Sequence, residues 1–250
     1  MTKEATKPKK VRQKKKTYPL WSDSVDRLLL YADIMGFKSR VLSLSHNQLK
    51  DRLINFRNDW QTKMSPLKIK DYLRFVQFSD SILIVVNGTD EKMFNLLTKA
   101  SVCLMHTALE HGFPIKGVIS QGKFLFDKDS ELYFGRPLVD AALLHDELKY
   151  YGVAVHHSAE HIVKLYQSDS NPYSNTPISL DSGETSHFHL AWNLLDTSYH
   201  SENITEKCFK WLENIEESVS GRPRIYVDKT RKILLNDSKI FKDEDKLSEG

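Results

Sequence analysis

The sequence predicts an α+β fold in which helices cover an antiparallel sheet, and three observations support this prediction. Short apolar runs of strand length recur along the chain, as in residues 82–86. Longer segments between them carry apolar residues at helical spacing, such as Phe94, Leu97 and Ala100. The short link Ser79-Asp80-Ser81 joins two predicted strands and indicates a hairpin. With 250 residues, 40% of them hydrophobic, the chain can bury a core of its own.

The first six predicted elements follow the order strand, helix, strand, strand, helix, strand. Their expected bounds are about 26–33, 47–63, 72–78, 82–86, 90–110 and 115–120. This order is typical of a ferredoxin-like sheet with helices on one face. In that topology the end of the first strand lies beside the hairpin formed by the second and third strands.

The remaining sequence adds elements to this core. We expect a second hairpin over 122–133, a helix from Pro137 to about Tyr150 that ends at Gly152, a strand over 153–156 and a helix over 159–166. Residues 167–186 are rich in Ser, Asn, Pro and Asp and predict a loop. Helices are expected over 203–218 and 222–235, followed by a charged and frayed end. The predicted organisation is an arm (1–17), a main domain (18–200) and a helical extension (201–250).

Positive charge is concentrated at the N-terminus. The formal net charge of the chain is +3, yet eight Lys and Arg residues and one Glu fall within residues 3–16. Such a block predicts a solvated, disordered arm. Weak binding to nucleic acid or an anionic surface is the alternative, and the arm also resembles a nuclear localisation signal.

Several features favour a cytoplasmic protein. No run of about 18 apolar residues predicts a membrane span, and the N-terminus lacks the apolar stretch of a secretory signal. The two cysteines, Cys103 and Cys208, form no disulfide or zinc pattern and are expected to be buried in helices.

Two aspartates stand out because each lies next to an apolar strand. Asp33 ends the first strand just before Gly36, and Asp80 lies in the predicted hairpin turn. A buried carboxylate needs a partner or a metal. Since the predicted topology brings these positions together, we expect Asp33 and Asp80 to hold metal ions. The alternatives are a helix or turn cap for Asp33 and an ordinary hairpin residue for Asp80.

Four motifs in this order resemble those of class III nucleotidyl cyclases. They are residues 31–37 (YADIMGF), 78–82 (FSDSI), 116–122 (KGVISQG) and 134–142 (FGRPLVDAA). Residues 187–192 (HFHLAW) add a closer likeness to the stand-alone pyrimidine cyclases of bacterial Pycsar antiphage defence. The resemblance spans about residues 27–195, so the domain predicted over 18–200 is expected to be the catalytic one.

The resemblance implies a reaction and a site. The ribose 3′-hydroxyl would attack the α-phosphate and expel pyrophosphate, with two Mg²⁺ or Mn²⁺ ions held by Asp33, Asp80 and the Ile34 carbonyl. The implied nucleotide-binding residues are Tyr31, Ile34, Met35, Gly36 and Phe37, with the amides of residues 34–37 cradling the triphosphate. Lys116 and Arg136 are candidates to contact the phosphates or stabilise the transition state; for each, a solvated surface charge is the alternative.

The sequence departs from the wider family in one helix. Many class III cyclases carry an asparagine and, one turn later, an arginine where this chain offers Val139 or Asp140, then Leu143 or Leu144. The arginine is therefore missing from its usual place, so Lys116, Arg136 or another basic residue substitutes, or catalysis is weak. The positions that select adenine are not recognisable either, which favours another base.

The resemblance implies a homodimer with composite active sites. It further implies conversion of UTP to 3′,5′-cyclic UMP, a messenger that activates a separate effector during phage infection. The alternatives are a cytidylate cyclase, an inactive cyclase-like domain that binds a nucleotide, and a nucleic-acid binder that uses the basic arm. His156, His157, His161, His187 and His189 are expected to be structural or surface residues.

Overall fold

The computed structural model describes residues 18–67, 69–167, 173–195 and 204–248. The predicted basic arm (1–17) lies outside the described residues. The proposed boundary near residue 200 also falls in an undescribed stretch, so the division into domains stays a prediction.

Within the described residues, eight strands form one sheet. Their bounds are β1 Val25–Ile34, β2 Leu73–Phe78, β3 Ser81–Val86, β4 Ile115–Asp127, β5 Leu132–Gly135, β6 Gly152–Val155, β7 Tyr173–Leu180 and β8 Gly183–Leu190. The strand order is β2-β3-β1-β4-β6-β8-β7, and β5 pairs with β4. The β4–β6 pair is parallel and the other pairs are antiparallel.

Seven α-helices accompany the sheet in the described ranges. They are α1 Phe37–Ser43, α2 His46–Met64, α3 Glu91–Glu110, α4 Arg136–Glu147, α5 His157–Tyr166, α6 Ile204–Ser218 and α7 Arg222–Ser248. Three begin with side-chain caps, since Ser45, Asp90 and His156 accept hydrogen bonds from the first turns of α2, α3 and α5. None of the described helices has the length and apolar character needed to cross a membrane.

The strand order β2-β3-β1-β4 confirms the ferredoxin-like prediction, because α2 connects β1 to β2 and α3 connects β3 to β4. Successive side chains of β1 point to opposite sides of the sheet, so the strand contributes to two cores. Leu28, Leu30 and Ala32 pack into the core shared with α2 and α3, whereas Leu29 packs into the core shared with α4. Asp33 follows this alternation, so its side chain lies on the α4 face.

Four expectations about the elements were wrong. Residues 173–190 form the β7–β8 hairpin and not a loop, because Ile178 and Leu190 supply buried side chains to the sheet. Gly152 begins β6 and does not end a helix, since α4 ends at Glu147. The seven-residue helix α1 was not predicted, and α7 continues to Ser248, well beyond residue 235.

The C-terminal helices pack on the sheet and on α3. Cys208 and Leu212 of α6 join the core formed by α2 and α3, and Asp237 of α7 receives a hydrogen bond from His189 of β8. Both cysteines are free and buried in helices, as predicted. Burial raises the pKa of the Cys103 thiol to about 11, so this side chain acts as a small apolar residue.

Candidate active site

Asp33 lies at the end of β1, where the strand meets the turn at Gly36. Its carboxylate is 21% exposed, and Oδ1 is buried without a hydrogen-bond partner. On this face of β1, Asp33 follows Leu29 and Tyr31 and is the first acid. An unsatisfied buried carboxylate oxygen is costly unless a ligand completes it.

Asp80 lies beside Asp33, as the sequence predicted. The β2–β3 hairpin turns at Ser79 and Asp80, and Ser79 adopts the left-handed region with φ 57°. Ser81 pairs with Asp33 in the β1–β3 ladder. The next rung is a hydrogen bond of 2.9 Å from the Ile34 amide to the Asp80 carbonyl. The ladder thus brings the backbones of the two aspartates together.

Lys116 is the cross-strand neighbour of Asp33 on β4. It is only 5% exposed, and its Nζ lies 3.4 Å from the Leu148 carbonyl oxygen. Burial lowers the pKa of Lys116, and the nearby Lys149 lowers it further, while Asp146 and Asp33 oppose the shift. The alternative of a solvated surface charge is therefore excluded for Lys116.

His145 of α4 and Tyr31 of β1 complete the surroundings of Asp33. His145 Nε2 lies 3.5 Å from Asp33 Oδ2, and the Tyr31 hydroxyl donates to the same oxygen at 3.3 Å. The two rings meet edge to face, with centroids 5.3 Å apart. Burial lowers the pKa of His145, and Lys116 adds to that effect, which favours the neutral imidazole.

Two backbone hydrogen bonds to neighbouring segments fix the turn after β1. The Ile34 amide donates to Asp80, and the Met35 amide donates to the Pro114 carbonyl at 2.8 Å. The expectation that the amides of residues 34–37 all cradle phosphates is therefore wrong for Ile34 and Met35. The amides of Gly36 and Phe37 have no acceptor among the described residues. Gly36 has φ 73°, and a Cβ there would meet nothing within 4 Å, so this part of the turn faces open space.

Arg136 lies apart from this group. It begins α4, its side chain is 83% exposed, and its Nε lies 3.3 Å from the Asp140 carboxylate. His145 is nine residues further along the same helix, about 13 Å along the axis. Within one chain, the fold therefore does not bring Arg136 to Asp33.

The donors at this end of the sheet fit magnesium or manganese. Two neighbouring aspartates, one with a free buried oxygen, and a strand-end carbonyl are oxygen ligands of the kind these ions prefer. Among the described residues, no group of three or more His, Cys, Asp or Glu side chains is placed to hold a metal. A partial set is what Mg²⁺ uses when phosphate and water supply its other ligands.

Sequence reasoning missed His145, Lys149 and Arg222. His145 falls four residues after the buried Ala141, so helical spacing placed it on the buried side of α4. Nothing in the sequence paired it with Asp33. Lys149 and Arg222 line a cavity next to Gly36, and their proximity arises only when α6 and α7 fold back on the domain.

Comparison with solved structures finds nucleotidyl cyclase domains. One is the guanylate cyclase domain of RhGC from Catenaria anguillulae in complex with GTP, at 12% identity and TM-score 0.47, covering 67% of this chain and 96% of that chain. A bacterial light-regulated adenylyl cyclase matches at 14% identity and TM-score 0.46, covering 75% and 98%.

An adenylate/guanylate cyclase/hydrolase from Silicibacter pomeroyi matches at 15% identity and TM-score 0.43, covering 66% of this chain and 93% of that chain. No protein-family model and no curated protein matches the sequence. At TM-scores below 0.5, these likenesses identify no function and no site residue in this chain.

Proposed function

We propose that this chain is a cytoplasmic nucleotidyl cyclase of the class III type. The observation that carries the proposal is the buried, unpartnered oxygen of Asp33 beside Asp80, at the junction of β1 with the β2–β3 hairpin. The ferredoxin-like sheet order and the cyclase-like motifs around both aspartates support it.

The proposed reaction is an intramolecular displacement. The ribose 3′-oxygen forms a bond to the α-phosphorus while the bond from that phosphorus to the bridging oxygen breaks. Pyrophosphate leaves with the electron pair, and the hydroxyl proton passes to solvent. Two divalent ions, when bound, supply a lowered pKa at the 3′-hydroxyl and compensate charge on the phosphate oxygens.

The residues around Asp33 have separate roles in this proposal. Asp33 and Asp80 would hold the ions, with the Ile34 carbonyl as a further ligand. Tyr31 and His145 contact Asp33 Oδ2 and so fix the orientation of its carboxylate. Lys116, opposite Asp33 in the ladder, would neutralise phosphate charge. The amides of Gly36 and Phe37 remain as donors for the triphosphate.

A homodimer with composite sites would explain the position of Arg136. Val139 and Leu143 are exposed apolar residues one turn apart on α4, and Phe134 of β5, just before this helix in the chain, is exposed as well, as is Phe78 of β2. Large exposed apolar patches mark association surfaces. Since Arg136 is exposed at the start of the same helix, it is free to reach the site of a partner chain.

UTP is the proposed substrate and 3′,5′-cyclic UMP the product. This choice depends on the resemblance to pyrimidine cyclases of antiphage defence, in which the product would activate a separate effector. Cyclic CMP from CTP is the alternative within the same mechanism.

The test is incubation of the purified full chain with ATP, GTP, CTP or UTP and manganese, with product masses measured. We expect a cyclic nucleotide and pyrophosphate from UTP. The Asp80→Asn variant should form neither, whereas Asp129→Asn, an exposed acid in the β4–β5 turn, should match the wild type. Turnover of none of the four triphosphates would overturn the proposal, and turnover of another base would change only the substrate.

A further inference from the structure

A cavity of about 970 Å³ opens beside the Gly36 turn. On one side it begins at Met35 and Gly36, and on the other it is closed by α6 and the start of α7, through residues such as Trp211 and Tyr226. Lys116 also lines it, so the cavity borders the Asp33 site through the cross-strand neighbour of that aspartate. Its volume is that of a typical small-molecule site.

Basic side chains outnumber acidic ones around the cavity. The acidic ones are Glu110 and Asp146, and Glu110 is already paired with Lys63. The basic ones are Arg40, Arg52, Lys116, Lys149 and Arg222. Arg40 has a structural task, because its guanidinium donates to the Gly112 carbonyl and lies over the Phe113 ring. Of the others, Lys149 is paired with Asp181, whereas Arg52, Lys116 and Arg222 have no carboxylate within 4.0 Å among the described residues.

Two of these cations are buried lysines. Lys116 has no carboxylate within 4.0 Å among the described residues, and its Nζ reaches only a backbone carbonyl. Lys149 is 8% exposed, with its Nζ 2.7 Å from Asp181 Oδ2. Among the described residues, Asp181 is the one carboxylate within 4.0 Å of either ammonium, and Asp33 and Asp146 lie further away. An anion bound between the two lysines would therefore gain favourable charge interactions.

We propose that this cavity binds the polyphosphate chain of the substrate, with Lys149 and Arg222 as binding residues. The assignment rests on the proposed function, because the chain of phosphates would start at the Asp33 site and pass Lys116 into the cavity. Arg222 is the first residue of α7 and is exposed, so its guanidinium is free to contact a terminal phosphate in bidentate fashion. The α6–α7 hairpin thereby supplies, within the same chain, a phosphate-binding wall.

The first test measures binding of inorganic tripolyphosphate to the full chain by calorimetry without divalent ions. Arg222→Ala and Lys149→Met should each weaken binding about tenfold, the value of one charge-assisted contact. Neither change leaves a buried unpaired acid, because Asp181 is largely exposed. Lys210→Ala removes an exposed charge from α6 outside the cavity and should bind as the wild type does. All of these variants keep the basic N-terminal arm (1–17), so its charge contributes equally to each measurement.

Equal binding by wild type, Arg222→Ala and Lys149→Met would overturn the cavity proposal, as would absence of binding to the wild type. Asp33→Asn should retain tripolyphosphate binding while losing turnover. If the wild type turns over no triphosphate but binds tripolyphosphate, and Arg222→Ala loses that binding, the proposed function fails while the cavity remains a polyphosphate-binding site. If UTP is turned over and Arg222→Ala changes neither the KM for UTP nor tripolyphosphate binding, the cavity proposal fails and the proposed function stands.

Discussion

Two histidine–carboxylate pairs in this molecule have opposite characters. His189 Nε2 lies 2.9 and 3.1 Å from the two oxygens of Asp237, and the side chains are 1% and 0% exposed. His145 Nε2 lies 3.5 Å from one oxygen of Asp33, too far for a hydrogen bond, and the other Asp33 oxygen has no partner. In the first pair both carboxylate oxygens accept a hydrogen bond from the histidine, whereas in the second neither oxygen does.

The difference separates a structural contact from a binding site. The Asp237 pair joins α7 to β8. Both carboxylate oxygens of Asp237 accept from His189 and are buried, so the pair is not accessible to a ligand. The fold holds Asp33 beside His145 and leaves the Oδ1 acceptor of Asp33 without a hydrogen bond. Buried polar groups in folded proteins are nearly always satisfied, so the remaining capacity of Asp33 is best explained by a ligand.

The largest effect should come from Asp33→Asn. Loss of the metal-binding charge removes several kcal/mol of transition-state stabilisation, so cyclisation should fall at least ~10³-fold. The stability of the fold should change by no more than about 1 kcal/mol, because the lost carboxylate is poorly paired. Activity is measured by product mass and stability by urea unfolding. Asp26→Asn, at the exposed start of the same strand, is the control. Unchanged activity would remove Asp33 from the site.

Asp237→Ala should lower the stability of the fold and leave the activity nearly unchanged. Its removal leaves His189 buried without its partner, which costs about 3 kcal/mol of unfolding free energy. Activity per folded molecule should stay near that of the wild type. Asp228→Ala removes an exposed acid from the same helix and should cost less than about 0.5 kcal/mol. Equal stability of the two variants in urea unfolding would contradict the structural role of the Asp237 pair.

Tyr31→Phe tests the surroundings of Asp33. The hydroxyl that donates to Asp33 Oδ2 at 3.3 Å would be lost without a change in ring packing. We expect the manganese concentration for half-maximal activity to rise about tenfold, the usual cost of removing a group that orients a ligand. Maximal activity should change little. Tyr133→Phe, an aromatic residue of β5 away from Asp33, serves as the matched control. The same metal dependence in both variants would argue against an orienting role.

The smallest effect concerns pH. Burial lowers the pKa of His156 and His187 below the ordinary 6.5. The unfolded chain then binds more protons than the folded chain between the lowered and the ordinary pKa, so stability is full above about pH 6.5 and declines as the pH falls through the lowered values. The melting temperature should drop by a few degrees between about pH 7.5 and pH 5.5. In His187→Asn the drop should be smaller, and an equal drop would exclude His187 as a source.

The residues that sequence reasoning could identify are those with local signals. Asp33 and Asp80 were found because each interrupts a strand pattern, and their meeting followed from the order of strands and helices around them. The β7–β8 hairpin was missed because Pro177, Asn175 and several serines outweigh the apolar residues that the sheet buries. His145 was missed because a histidine on a helix carries no signal of which strand it will face.

The sequence by itself determined the ferredoxin-like core and the pair of aspartates, because strand and helix periodicity and turn residues act over a few neighbours. Only the tertiary structure decided which donors remain free around Asp33, since the amide of Ile34 donates to Asp80 in the β2–β3 turn and that of Met35 to Pro114, just before β4. It also decided that Lys149 and Arg222 share a cavity with Lys116. Such groupings depend on how α6 and α7 pack against distant parts of the chain, and that packing is governed by long-range burial and charge, which no local pattern records.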